Sequence, residues 1–356
     1  MCFVDLEKAF DRVPRGVLCG VLWEYGVSGP LLQAIQSLYN RCKSLVHIAG
    51  NKSNSFPVGD GLRQGSPLSP ILFIIFMDRI SRHSQVVEGL HFGGLRISSL
   101  LFTDDVVLLA SSGDGLLLAL EAVGMRINTP KSEAMVLSRK RVECPLRVRD
   151  ETLPQVEEFK YHGVLFMSDG RREREIDRWI GAVAAVMRRL YRSIVVKRKL
   201  SVKAKLSIYW SIYVPTLTYG HELWVVTERT RLRIQATEMG FLRRVAGLSL
   251  GDRVRSSAIR EGLRVEPLLL HIKRSQLRWF EHLTRMPPGR LLGEVFWACP
   301  TERRARSRPR TRWRDYISRL AWERLGVPPD KLEEVAGERE VWASLLRLLP
   351  PRPGLG

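Results

Sequence analysis

The stretch that decides the fold is a pair of apolar runs around two acids, Leu100-Leu101-Phe102-Thr103-Asp104-Asp105-Val106-Val107-Leu108-Leu109. Two apolar runs joined by a few turn-forming residues predict a β-hairpin, and the apolar flanks predict that both strands are buried. Two neighbouring negative charges at the mouth of such a hairpin are costly unless a cation neutralises them. Carboxylate oxygens favour Mg²⁺ or Mn²⁺, so the segment predicts a divalent-metal site. An ordinary turn is the alternative, because Asp is favoured in turns.

A third acid has a similar setting at the start of the chain. The short apolar strand Cys2-Phe3-Val4 runs directly into Asp5. If this strand lies beside the hairpin, three carboxylates meet at one edge of a sheet. Enzymes that transfer nucleotides use such carboxylates to hold two metal ions about 3.5–4 Å apart.

Composition narrows the class of protein. The chain has 356 residues, enough for two or three domains, and its 45% hydrophobic content is too high for a disordered protein. Its formal net charge of +20 predicts a polyanionic partner, with nucleic acid the first candidate and an anionic membrane the second. No apolar stretch long enough to cross a membrane and no signal peptide is apparent. Five scattered cysteines without CxxC spacing argue against a disulfide framework or a zinc site and indicate an intracellular protein.

The second half of the chain changes character. Helical patterns rich in Arg and Lys run through residues 176–196, 204–217, 232–245 and 268–286. Seven arginines follow between residues 303 and 314, and two helical segments then close the chain. We predict that this arginine run binds nucleic acid through Arg306, Arg308, Arg310 and Arg312. Three interpretations stay open: a hook for the DNA minor groove, a nuclear-localisation signal that would place the protein in the nucleus, or a solvated run of charge.

Five segments resemble, in order, the motifs of reverse transcriptases from LINE-type (non-LTR) retrotransposons. They are Phe3-Val4-Asp5-Leu6-Glu7-Lys8-Ala9-Phe10-Asp11, residues 61–73 (GLRQGSPLSPILF), Phe102-Thr103-Asp104-Asp105, residues 124–132 (GMRINTPKS) and Phe159-Lys160-Tyr161-His162-Gly163-Val164. The resemblance continues through residues 276–286 and 308–315 and so covers almost the whole chain. It implies an α/β plus α architecture: a right-hand polymerase palm of antiparallel sheet and helices (1–166), a helical thumb (167–290), and an Arg-rich linker with C-terminal helices (291–356).

The resemblance also implies roles for individual residues. Asp5, Asp104 and Asp105 would hold two Mg²⁺ or Mn²⁺ ions for RNA-directed DNA synthesis from an RNA template, a DNA primer and dNTPs. The remaining implied site residues are Phe10 as the steric gate against NTPs, Gln64 and Gly65 in the nucleotide and template pocket, Lys131 beside the leaving pyrophosphate, and Tyr161, His162 and Gly163 on the hairpin that grips the primer. No membrane partner is implied.

The sequence departs from the family pattern in several places. It begins at the first motif, so we expect an N-terminally truncated copy without fingers or endonuclease, weakly active or inactive alone. Thr103 replaces the usual Ala, and His162 stands at a position where the family usually has an apolar Leu, which we interpret as decay. The stretch 114–122 allows only about two helical turns where the family has a longer helix, and we expect the loss of that longer helix to expose apolar surface. The alternative function is a non-enzymatic nucleic-acid-binding remnant; Phe10 argues against a third possibility, a viral RNA-dependent RNA polymerase.

Overall fold

The structure, a computed structural model, describes residues 1–84, 89–138, 142–190, 200–298 and 311–349, without the side chains of residues 83 and 84. Within these residues the chain forms two compact units, residues 1–157 and residues 158–298 with 311–349. No helix in the described part of the chain is long and apolar enough to cross a membrane.

The first unit mixes helices with short antiparallel strands. Its elements are β1 (Cys2–Asp5), α1 (Arg15–Glu24), α2 (Gly29–Tyr39), β2 (Lys43–Ser44), β3 (His47–Ile48), β4 (Asn51–Lys52), β5 (Phe56–Pro57), α3 (Ser69–Ser84), β6 (Leu90–Phe92), β7 (Leu95–Ile97), β8 (Ser99–Phe102), β9 (Asp105–Leu108), α4 (Gly113–Ala122), β10 (Glu133–Ala134), β11 (Arg147–Val148) and β12 (Glu151–Thr152).

A four-stranded antiparallel sheet with the order β10-β1-β9-β8 forms the centre of this unit. The predicted hairpin is present as β8 and β9, but the prediction that both of its strands are buried is wrong for β8. Leu100 and Phe102 remain 41% and 57% exposed. The reason is position: β9 lies between two strands, whereas β8 is an edge strand with a single neighbour.

The helices α1, α3 and α4 build the core around the sheet. The short helix that the sequence allows after the hairpin is present, because residues 113–122 form the ten-residue helix α4. The Ser112 hydroxyl caps this helix by accepting the N–H of Gly115 at 3.0 Å, and Leu116 and Leu120 on its inner face are buried. Helix α4 thus covers part of the core, while Leu118 on its other side stays exposed.

The first turn of α1 has no side-chain cap. Asp is a residue type that favours helix N-caps, but α1 begins at Arg15 with Pro14 before it, and Asp11 does not cap it. Asp11 lies instead in a 3₁₀ turn, Ala9–Arg12, where its carboxylate accepts a hydrogen bond from Gln64.

The second unit is mainly helical, as the sequence predicts. Its elements are β13 (Glu158–Tyr161), β14 (Val164–Met167), α5 (Glu173–Leu190), α6 (Val202–Ile208), α7 (Val214–Leu217), α8 (Glu228–Ala246), α9 (Ser256–Leu263), α10 (Leu268–Thr284), α11 (Leu291–Trp297), α12 (Trp313–Leu325), α13 (Leu332–Gly337) and α14 (Arg339–Arg347). A π-helical turn, Tyr209–Tyr213, joins α6 to α7. The sequence did not predict α9 and α11, and three C-terminal helices replace the two expected.

A fully buried carboxylate organises the core of this unit. Glu238 on α8 accepts hydrogen bonds from Arg260 (2.7 Å), from the backbone N–H of Leu268 (3.0 Å) and from the Tyr209 hydroxyl (3.3 Å). Burial and the neighbouring carboxylate raise the pKa of Tyr209 well above its ordinary value. One acid thereby links α8, α9, α10 and the π-helical turn.

We predict that Glu238→Ala destabilises the second unit by roughly 3–5 kcal/mol, because it leaves the guanidinium of Arg260 buried without a counter-charge. Tryptophan fluorescence during urea unfolding reports on this unit, since eight of the nine tryptophans belong to it and only Trp23 to the other. Glu261→Ala, an exposed acid on α9, is the matched control and should change stability by less than about 0.5 kcal/mol. Equal effects of the two substitutions would contradict the role assigned to Glu238.

Candidate active site

Two of the three predicted acids lie directly opposite each other on neighbouring strands of the central sheet. Asp5, the last residue of β1, is the register partner of Asp105, the first residue of β9. Residues directly opposite in an antiparallel pair project from the same face, with Cβ atoms about 4.5–5.5 Å apart. Both residues are partly exposed, at the open end of a pair of otherwise buried strands. The structure therefore brings Asp5 and Asp105 together.

The third acid, Asp104, lies in the two-residue turn between β8 and β9 and is exposed. The hydroxyl of Thr103 lies 3.0 Å from its Oδ1 and 2.7 Å from the carbonyl oxygen of Phe102, so one proton serves two acceptors. Thr103 itself has φ +54°, a rare conformation for a β-branched residue. The Thr in place of the family's Ala thus adds a hydrogen-bond donor to Asp104 at a strained turn.

The backbone of Asp5 is held on both sides by the segment 124–132. Its N–H donates to the hydroxyl of Ser132 at 3.0 Å, and its carbonyl accepts the N–H of Asn128 at 2.9 Å. The Ser132 hydroxyl donates in turn to the carbonyl of Asn128, and Ser132 is fully buried. Sequence analysis did not single out Ser132, which positions the end of β1 from 127 residues away.

Lys131 stands beside this clamp. It ends the 3₁₀ turn Thr129–Lys131, immediately before Ser132, and its side chain is exposed. Glu7 ties the same two segments together at the surface, pairing with Arg12 at 3.1 Å and with Arg126 at 2.8 Å. The turn that carries Lys131 is therefore fixed relative to Asp5, whereas the ammonium group is left in solvent.

Gln64 and Gly65 belong to a loop that is fastened to the turn after β1. The Gln64 amide donates to the Asp11 carboxylate at 3.0 Å, and the N–H of Leu62 donates to the carbonyl of Phe10 at 2.8 Å. Within this loop the close approach of backbone to backbone occurs at Gly61, where a Cβ would lie 2.5 Å from the Asp11 carbonyl oxygen. Gly65 has open space around it, and only its φ of +83° favours glycine there.

The predicted steric gate, Phe10, is half-buried. Its ring stacks on Phe73 of α3, with centroids 4.0 Å apart and planes inclined by 15°. The stacking fixes the orientation of the Phe10 ring, which has a core contact and remains partly exposed.

Arg15 is a second positioning residue that sequence analysis missed. Its guanidinium donates to four backbone carbonyls, those of Tyr39 (3.2 Å), Val58 (2.7 Å), Asp60 (3.0 Å) and Gly61 (2.9 Å). It also lies over the ring of Tyr39. A single arginine thus joins the end of α2 to the Gln64 loop. No local pattern in the sequence distinguishes it from a surface arginine.

The predicted primer-grip residues belong to the second unit, at the tip of the hairpin β13–β14. His162 and Gly163 form its two-residue turn, both with positive φ (45° and 82°), the pattern of a type I′ turn. His162 is exposed, so its polar ring is not buried among apolar side chains in the described part of the chain. The Tyr219 hydroxyl donates to the His162 carbonyl at 2.9 Å, and Arg178 donates to the Gly163 carbonyl. Tyr161, at the strand end, packs edge-on against the His162 ring.

The predicted arginine cluster lies mostly beyond the part of the chain that the structure describes. Arg306, Arg308 and Arg310 are outside the described residues. Arg312 is exposed immediately before α12, and its side chain does not cap that helix.

The acids fit a divalent metal as a pair. In residues 1–84, 89–138, 142–190, 200–298 and 311–349, no three His, Cys, Asp or Glu side chains group closely enough to hold an ion by themselves. The facing pair Asp5 and Asp105 still fits Mg²⁺, because proteins commonly bind this ion through one or two carboxylates, with water and substrate phosphates completing the shell. The donor set is oxygen only, as a hard cation requires.

We predict that Gly61→Ala destabilises the first unit by roughly 2–5 kcal/mol, because the new methyl group meets backbone and because φ +84° disfavours alanine. Hydrogen–deuterium exchange of the β1 and β9 peptides measures this locally. Gly59→Ala is the control in the same loop: its Cβ meets no atom within 4 Å and its φ is not positive. Exchange that is accelerated equally by both substitutions would show that the Gly61 contact is not what holds the loop.

Comparison with known proteins agrees with the geometry. Residues 1–166 match the family model described as reverse transcriptase (RNA-dependent DNA polymerase). The chain is 26% identical over 299 residues to the RNA-directed DNA polymerase from the mobile element jockey of Drosophila melanogaster, covering 80% of this chain and 32% of that protein. It is 27% identical over 190 residues to a retrovirus-related Pol polyprotein from a type-2 retrotransposable element of the same species, covering 48% and 18%.

A transposon-derived protein of Caenorhabditis elegans, named as putative and uncharacterized, is 27% identical over 280 residues, covering 71% of this chain and 96% of its own length. The chain spans only 18–36% of the length of the retrotransposon polymerases and polyproteins that it matches. The family match, these relatives and the pairing of the acids lead to one conclusion: residues 1–166 form a reverse transcriptase domain of the non-LTR retrotransposon family.

Proposed function

We propose that this chain carries out RNA-directed DNA synthesis, adding dNTPs to the 3′-hydroxyl of a DNA primer on an RNA template. The observation that carries the proposal is the register of β1 against β9, which sets Asp5 opposite Asp105 at the open end of a buried strand pair. The first unit then corresponds to a polymerase palm, and the helices that follow residue 166 to a thumb and a basic C-terminal region.

Two Mg²⁺ or Mn²⁺ ions, when bound, would activate the primer hydroxyl and stabilise the leaving pyrophosphate. Asp5 and Asp104 would hold them, as the resemblance implies, with Asp105 as the third carboxylate, opposite Asp5. Ser132 and Asn128 keep the Asp5 backbone in place through two hydrogen bonds, so the carboxylate is positioned before substrate arrives. Such preorganisation matters because small displacements of reacting groups cost orders of magnitude in rate.

The remaining site residues receive roles in the same proposal. Phe10 would exclude the 2′-hydroxyl of NTPs, with its ring held by Phe73. Gln64 and Gly65 would line the nucleotide and template pocket, and Lys131 would stabilise the pyrophosphate. Tyr161, His162 and Gly163 would grip the primer end.

The arginine run between residues 303 and 314 would serve as a further nucleic-acid contact. Arg306, Arg308, Arg310 and Arg312 would contact DNA, and the same run would direct the protein to the nucleus.

A second function is favoured by a separate observation. The net charge of +20 supports binding of nucleic acid without any synthesis. A remnant of this kind would keep its basic surface while losing the metal-dependent reaction.

We predict that Asp5→Asn or Asp105→Asn reduces dNTP incorporation to background in primer extension on poly(rA)/oligo(dT), because each amide removes a charge that holds the cation. Long incubations with Mg²⁺ and with Mn²⁺ are needed, since the sequence predicts that this chain alone is weakly active or inactive. Asp150→Asn, in the exposed turn between β11 and β12, is the control and should match the wild type.

A second measurement makes this test independent of turnover. Electron paramagnetic resonance with dATP present should show Mn²⁺ bound by the wild type and by Asp150→Asn, but weakened at least tenfold by Asp5→Asn. Incorporation that persists in Asp5→Asn and Asp105→Asn would rule out the acid pair as the catalytic site. If the wild type binds the template but binds neither Mn²⁺ nor dNTPs, the result would support the second function, a remnant that only binds nucleic acid.

We predict that Phe10→Ala admits NTPs and narrows the preference for dNTPs by at least tenfold, because the ring that would meet the 2′-hydroxyl is gone. Competition between dATP and ATP on an oligo(dT) template measures the ratio. Phe10→Tyr keeps the ring and should retain the preference. If Phe10→Ala leaves the ratio of dATP to ATP incorporation unchanged, Phe10 is not a steric gate and only packs against Phe73.

A further inference from the structure

A basic groove lies in the second unit, between α10 and α14. It is open to solvent and encloses about 660 Å³. Its charged lining is one-sided, with one glutamate, Glu281, against a histidine and five arginines: Arg274, Arg278, Arg285, Arg339 and Arg347. None of these residues belongs to the five motifs or to the arginine run between residues 303 and 314.

Two of the five arginines are neutralised within the protein. Arg274 pairs with both carboxylate oxygens of Glu266 at 2.8 Å, and Arg285 pairs with Glu281 at 2.7 Å. The other three, Arg278, Arg339 and Arg347, are exposed and have no ion pair or hydrogen-bonded side-chain partner among the residues that the structure describes. The groove therefore presents an uncompensated charge of +3.

The groove has a fixed frame. Trp342 of α14 is fully buried, and its indole N–H donates to the carbonyl of Leu277 in α10 at 3.1 Å. Its ring also packs near Phe280, with centroids 6.0 Å apart. These contacts hold the two helices side by side. The arginines of the groove therefore project from packed helices and not from a loop.

The spacing of the charges suits a chain of phosphates. Of the free arginines, Arg339 and Arg347 begin and end α14, about 12 Å apart, and Arg278 lines the groove from α10. Along the axis of a duplex, the phosphates of one strand follow each other at about 3.4 Å per nucleotide, so about 12 Å of axis covers roughly three such steps. Guanidinium groups match phosphate oxygens in geometry, and three of those in the groove are free to do so.

We propose that this groove binds the phosphodiester backbone of a nucleic acid, as a site separate from the Asp5–Asp105 pair. The identification of the ligand as a nucleic acid rests on the proposed function. The arginines of the groove alone support the binding of several phosphates in a row. The contacts reach the backbone and not base edges, so binding here is independent of sequence and sensitive to salt.

The test uses the whole chain carrying Asp5→Asn, so that a failure of catalysis does not enter the result. Fluorescence anisotropy measures Kd for a labelled 20-base-pair DNA duplex and a 20-nucleotide RNA of unrelated sequences, between 50 and 300 mM KCl. The groove variant is Arg278→Gln, Arg339→Gln and Arg347→Gln combined. The control variant removes the same charge from exposed positions of the same unit outside the groove, Arg229→Gln, Arg255→Gln and Lys331→Gln.

We expect the groove variant to weaken binding at least tenfold at 100 mM KCl and to flatten the salt dependence of duplex binding. The log–log slope should fall by about 0.9 for each phosphate that is no longer neutralised. The control variant should change Kd by less than threefold. A weakening for DNA and RNA alike assigns the site to the shared backbone, and a weakening for RNA alone assigns it to an RNA strand. Equal slopes for the two variants, with unchanged circular dichroism, would overturn the proposal.

Discussion

The pairing of β1 with β9 is the constraint on which the first unit depends. Its register is set by apolar side chains, because Cys2 faces Leu108 and Val4 faces Val106, all buried. A slip of one residue would move every one of these side chains to the opposite face of the sheet. The core thus fixes the position at which the strands end, and the two acids follow from it. Like charges directly opposite are unfavourable by themselves, so the apolar pairs hold Asp5 against Asp105.

Around this pair, position is enforced by backbone hydrogen bonds. Ser132 and Asn128 bind the N–H and carbonyl of Asp5, and Arg15 binds four carbonyls that lead into the Gln64 loop. Gly61 lets that loop approach Asp11 more closely than any side chain would allow. Because these contacts join segments distant in sequence, the site is assembled by tertiary structure and not by any single motif.

This explains what the sequence predicted and what it did not. Apolar periodicity predicted β1, the hairpin β8–β9 and the long helices, since these follow from neighbouring residues. It could not tell that β8 is an edge strand, because that depends on which strands lie beside it. Nor could it identify Ser132 or Arg15, whose partners are carbonyl and N–H groups present at every position of every chain. The exposure of His162 could not be predicted either. It follows from the two-residue turn between β13 and β14, and not from the residue type.

The two units differ in the charges that they leave at their surfaces. In the second unit the buried acids are already used inside: Glu238 neutralises Arg260, and Arg172 opposes the rise that burial causes in the pKa of Glu175. Because these acids are engaged in the core, surface arginines such as Arg278 remain unpaired, and they are favourable only while water or an anion solvates them. The first unit instead sets two carboxylates, Asp5 and Asp105, opposite each other at one strand end. Under the proposed function, a nucleic acid with its divalent ions would supply anionic phosphates for the arginines and cations for the carboxylates.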